Sequence, residues 1–195
     1  MTEPTQSLFN RRTAAAAVAL TFAFVAILWA TGRPWLCKTG LGFWTGAWSH
    51  CTSQHLLDPY SLTHVLHGII FYWALRIGVP KVALPWRMFF ANAVEIAWEL
   101  IENSEWVIER YRQGTASLDY TGDSIINSTG DVLSTILGFA LASRFSWKVA
   151  VAVFIVVEVA LLLTIRDNLT LNVLMLFIPV DTIKQWQLAP QPLAA

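Results

Sequence analysis

Apolar runs of about twenty residues decide what this chain can become, because a helix of that length matches the hydrocarbon core of a bilayer. Residues 14–30 are almost entirely Ala, Val, Leu, Phe and Ile, and they follow Arg11 and Arg12. Further runs cover 62–77, 84–103, 122–142 and 147–165. A last stretch, 169–180, reaches spanning length only if it continues through Ile183 to Trp186, with Pro179 as a kink. The pattern predicts an all-α, polytopic transmembrane helix bundle of about six helices, with five spans plus one interfacial helix as the alternative. Residues 1–195 read as a single membrane domain with a tail at 1–13, a long loop at 31–60 and a flexible tail at 187–195. No small-x-small cleavage site follows the first run before Gly32, so that run reads as an uncleaved helix rather than a secretory signal.

Composition closes off two other classes. With 55% hydrophobic and only 13% charged residues, the chain lacks the polarity of a disordered protein. Thirteen Lys and Arg against thirteen Asp and Glu leave no basic excess, which excludes nucleic acid as a partner. Membrane lipids are the expected surroundings, and ten Trp fit anchoring at the two interfaces.

The distribution of cations sets the orientation. A cytoplasmic N-terminus puts Arg11, Arg12, Arg76, Lys81, Arg87, Arg144, Lys148 and Lys184 inside, and Arg33, Lys38, Arg110, Arg112 and Arg166 outside. Loop 31–60 is then periplasmic and holds both cysteines, Cys37 and Cys51. An exported pair fits a disulfide, with two independent thiols as the alternative.

A charge in hydrocarbon costs at least about 2.5–3.5 kcal/mol, so buried ionisable groups must face one another. Helical periodicity places His64 and His67 on one face of the second run. Glu95, Glu99 and Glu102 fall on one arc of the third, and Asp123, Asn127, Gly130, Asp131 and Ser134 on one arc of the fourth. At the helical rise, His64 and His67 lie roughly 5–10 Å below the outer end of their run, and the carboxylates enter from the same side. Glu105 and Glu109 read as solvated, and Glu158, alone in the fifth run, reads as structural.

The segments 58–68 (DPYSLTHVLHG), 95–104 (EIAWELIENS), 119–131 (DYTGDSIINSTGD) and 166–172 (RDNLTLN) carry this cluster. Together they resemble uncharacterised protein family 0314, small multi-pass inner-membrane proteins of bacteria, over almost the whole chain. The resemblance implies an inner-membrane location and brings no assigned catalytic residues. A shorter likeness, a Glu-rich helix followed by Asp-x3-Asn-x2-Gly, is to the VanZ-like membrane proteins.

Imidazoles and carboxylates delivered to one depth by three helices form a candidate site for a divalent metal. His64, His67, Glu99, Asp123 and Asp131 are the candidate ligands; Glu99, Glu102, Asp123, Asn127 and Asp131 are the candidate catalytic groups. The expected activity is metal-dependent hydrolysis or transfer on a lipid or lipid-linked substrate in the periplasmic leaflet. A non-catalytic assembly or binding protein and a proton-coupled transporter are the alternatives. No HExxH, GxSxG or P-loop fixes the reaction.

Overall fold

The computed structural model describes residues 7–189. These form eight α-helices: α1 (Arg11–Ala30), α2 (Ser61–Gly78), α3 (Leu84–Glu102), α4 (Glu105–Gly114), α5 (Ile125–Ala142), α6 (Trp147–Ile165), α7 (Leu169–Phe177) and α8 (Asp181–Leu188). No strand occurs among the described residues; loop 31–60 holds two isolated bridges, Cys37 with Gly40 and Trp44 with Leu57. The chain is an all-α helical bundle.

Five of the eight helices start where a polar side chain takes a free amide, while α2, α3 and α8 have no side-chain cap. Asn10 closes a capping box on α1, while Ser124, Ser146 and Asn168 cap α5, α6 and α7. Three helices are long and apolar enough to cross a membrane by length and composition: α1, α5 and α6. Most of the apolar surface of α1 and α6 faces outward, with Phe22 and Leu163 among the exposed side chains. Water does not tolerate so large an apolar face on a monomer, so these helices suggest a membrane protein.

α2, α3 and α5 make the centre, with α1 against α3 and α5, and α6 against α2. One apolar cluster joins Leu66, Tyr72, Met88 and Phe139; a second joins Phe24, Leu28, Ile96, Ile125 and Val132. α2 and α5 touch through their main chains. A Cβ on Gly68 would strike the Thr135 carbonyl, and one on Gly138 would strike the Val65 carbonyl. The Thr135 hydroxyl also donates to the His64 carbonyl at 2.9 Å, tying the two helices beside the polar cluster.

Several boundaries differ from the sequence reading. The last apolar stretch is not one spanning helix. Pro179 has no amide to continue the ladder, and α7 and α8 form on either side of the break at Ile178 to Val180. The run from 122 becomes helical only at Ile125, because Ser124 caps α5 and Gly122 adopts φ +82°. A short helix not foreseen, α4, follows α3; Val107, Ile108 and Tyr111 are its buried face. α1 begins at Arg11, and α8 runs through Leu188 with Gln187 buried, so both reach into the expected tails. The tail residues 1–6 and 190–195 lie outside the described residues. Cys37 and Cys51 are joined by a disulfide, with Cα atoms 5.6 Å apart.

Candidate functional site

His64 is the centre of the polar cluster. α2 aims it at α3, where its Nδ1 makes a short hydrogen bond with a Glu95 carboxylate oxygen and lies 3.5 Å from Glu99 Oε1. Its Nε2 looks the other way, 3.9 Å from Asp131 Oδ2 on α5. One turn along α2, His67 Nδ1 is 3.1 Å from Glu95 Oε2, and the two imidazoles meet edge to face. Glu95 therefore holds both histidines while fully buried. A carboxylate on the nitrogen of an imidazole fixes the tautomer and orients the ring.

Two groups of three gather within metal-binding reach. His64, His67 and Glu95 offer ligand atoms all within 4.8 Å of one another, and so do His64, Glu99 and Glu102. Glu99 is the anomaly. It is 0% exposed, and neither carboxylate oxygen has a hydrogen-bond partner among the described residues. A buried acceptor left unsatisfied costs about 1–3 kcal/mol, and more when it carries charge. Buried polar atoms nearly always have partners, and Glu99 shares this exception with Asn92 Oδ1 on the same helix and Asn127 Oδ1 on α5.

The predicted residues divide accordingly. His64, His67, Glu99, Glu102 and Asp131 come together. Asp131 also accepts a 2.6 Å bond from Ser61 Oγ, which in turn accepts from the Asp58 amide at 3.1 Å. Asp123 lies in the extended segment before α5 rather than on the helix. It is held by Asn103 Nδ2 at 3.1 Å and by the Tyr120 hydroxyl at 2.9 Å. Asn127 turns aside: its Nδ2 donates to the His55 carbonyl at 2.9 Å, so it pins loop 31–60 to α5 instead of facing the histidines. Glu158 takes the Leu169 amide at 2.9 Å, the Thr170 amide at 3.1 Å and the Thr170 hydroxyl at 2.5 Å, anchoring the N-terminus of α7.

Several partners lie outside the candidate ligand and catalytic sets, although segments 58–68 and 166–172 are among those that carry the cluster in the sequence. Glu95 was visible on the α3 arc but absent from the ligand set. Asp58 sits below the cluster and accepts from the amides of Ser53, Tyr60 and Ser61. Burial still pushes its carboxyl above the usual carboxylate range, against the pull of those three amides. In the turn after α6, Asp167 takes the Asn168 amide and the Tyr60 hydroxyl, and burial raises its carboxyl to about 6. Asn103, Tyr111 and Tyr120 close the side nearest α4. No periodicity marks them, because they come from a helix end, a short helix and a loop.

A family model described as "Protein of unknown function (DUF2585)" matches residues 28–189. A "UPF0314 protein" of Brucella anthropi is 45% identical over 161 residues, covering 82% of this chain and 82% of its own. The chain belongs to the UPF0314 family. Other members, each named "UPF0314 protein", come from Paracoccus denitrificans and Sphingopyxis alaskensis. The first is 43% identical, covering 93% of this chain and 96% of its own; the second is 47% identical, covering 88% and 92%. No solved structure matches this UPF0314 chain.

Proposed function

We propose that this UPF0314 protein is a multi-pass inner-membrane protein, N-terminus cytoplasmic, whose His/Glu/Asp cluster holds a divalent metal in the periplasmic leaflet and acts on a lipid or lipid-linked substrate. The observation that carries the reading is Glu99, a fully buried carboxylate with no hydrogen bond to either oxygen, 3.5 Å from His64 Nδ1 and within metal-binding reach of Glu102. A structural network saturates its acceptors, as Asp58 and Glu158 do here. Glu99 is left open, and a cation is the partner that two free carboxylate oxygens accept most readily.

In this reading His64, Glu99 and Glu102 are the ligands; Nδ1 is the nitrogen nearest Glu99, so Glu95 shares that side of the ring, and Asp131, 3.9 Å from Nε2, is the carboxylate behind it. The metal would polarise a phosphoryl or acyl oxygen and lower the pKa of a bound water. His67, held by Glu95 and less buried than His64, is the group placed to move a proton. Asn127 holds the His55 carbonyl through Nδ2, while its buried Oδ1 has no hydrogen-bond partner among the described residues. A proton relay through the cluster could be extended only by Glu158 among the carboxylates of α6, and that carboxylate holds the α7 amides.

The test is elemental analysis of the detergent-purified chain before and after chelation, beside a Glu99→Ala variant shown to be helical and monodisperse. Stoichiometric zinc, manganese or iron in the wild type, absent from the variant, is expected. A wild type that takes up no metal from any of these salts overturns the proposal.

A further inference from the structure

On the far side of Asp123 the surface opens into a groove of about 990 Å³ between α4, the end of α7 and residues 120–123. Three arginines line it: Arg33, Arg110 and Arg112. Each is fixed by main-chain carbonyls. Arg33 donates to the carbonyls of Asp123 at 2.9 Å and Thr121 at 2.7 Å, and Arg112 to that of Tyr120 at 2.6 Å. Arg110 donates to the carbonyls of Leu176 and Phe177, at 2.7 and 3.1 Å, where the negative end of α7 points.

The segment 120–123 is thus a wall one residue thick. Its carbonyls hold the guanidiniums of Arg33 and Arg112, while the Tyr120 and Asp123 side chains bond each other on the inner face. Glu105 and Glu109 also line the groove, and Glu109 lies 3.5 Å from Arg112. Three guanidiniums against two carboxylates leave one positive charge. At the rim Trp106 and Phe177 are 70% and 66% exposed. A guanidinium clamped at one edge keeps its other N–H groups in a fixed fork, the geometry that suits phosphate oxygens.

We propose that this groove seats the phosphodiester headgroup of a membrane lipid, with Arg33, Arg110 and Arg112 around the phosphate and the chains running out over Trp106 and Phe177. The net charge of the lining matches one phosphodiester anion, and the exposed aromatics match the level where headgroup meets acyl chain. The proposal rests on the metal-site reading for its chemical consequence. The class of lipid is what it adds; segment 120–123 stands between the groove and the His/Glu cluster.

Native mass spectrometry of the full chain in detergent, with phosphatidylglycerol or diacylglycerol added, tests it. The wild type is expected to retain one phosphatidylglycerol and no diacylglycerol. Arg110→Gln and Arg33→Gln are each expected to lower retention about tenfold. Trp106→Ala, which removes an exposed side chain and leaves the interior intact, is expected to lower it by a smaller factor. Equal retention of the two lipids, equal retention by all variants, or displacement of the lipid by millimolar inorganic phosphate overturns the proposal. Metal content measured on the same samples separates the two readings. Lipid retention without metal refutes the metal site alone, and metal without selective retention refutes the groove alone.

Discussion

Glu102→Gln separates a metal site from a structural network, because the two predict opposite signs. Glu99 and Glu102 offer carboxylate oxygens within 4.8 Å of each other and of His64. At a pH where both are ionised, two like charges at that distance repel by about 3 kcal/mol at an effective dielectric of about 20. Glu102 is half-buried rather than buried, so screening reduces this to about 1–3 kcal/mol. Neutralising Glu102 relieves that repulsion in the chelated protein. Its Tm in detergent should rise by roughly 2–10 °C for a chain of this size. Metal should reverse the order. At a hundred times its Kd a ligand stabilises the wild type by about 2.7 kcal/mol, and a variant lacking one ligand gains less. The assay is thermal unfolding of both proteins with chelator and with added zinc or manganese. A chelated variant that melts below the wild type, together with no metal-dependent shift in either, would refute the reasoning.

Other outcomes follow from the same geometry. Glu158→Ala strands the buried amide of Leu169 and that of Thr170, so it should cost about 2–5 kcal/mol in chemical denaturation and leave metal content unchanged. Asp167 binds its proton more tightly folded (about 6) than unfolded (3.8), so its contribution to stability is lost as pH rises between those values. The gap corresponds to about 3 kcal/mol, trimmed by partial exposure to about 2, and Asp167→Asn should flatten that part of the stability–pH curve. Reporter fusions after Thr31, Arg76 and Arg144 should read outside, inside and inside; a cytoplasmic signal at Thr31 would invert the topology.

The helices and most of the cluster were legible because both obey one period. His64 with His67, and Glu95 with Glu99 and Glu102, lie on faces that 3.6 residues per turn dictate, and burial cost says those faces must meet. What escaped was set by groups without periodicity. Asp123 looked helical because the apolar run continues past it, yet Ser124 is the better cap and starts α5 one residue later. Asn127 shares the arc of Asp131, but loop 31–60 folds back and offers it the His55 carbonyl. Glu158 read as structural, and it is; the α7 amides that it binds could not be foreseen while 169–180 was taken as one span. The signal for α4 was present in Ser104 followed by Val107, Ile108 and Tyr111, but ten residues give a weak pattern.

The contact of bare backbones at Gly68 and Gly138 has a mechanical meaning. With no layer of side chains between them to yield, α2 and α5 form a fixed post, and His64, Ser61 and Asp131 ride on it together. The glutamates stand on α3, which meets that post through side chains. Glu95 is thus the single side chain by which α3 reaches both imidazoles, so any displacement of α3 against that post would part it from the two histidines together.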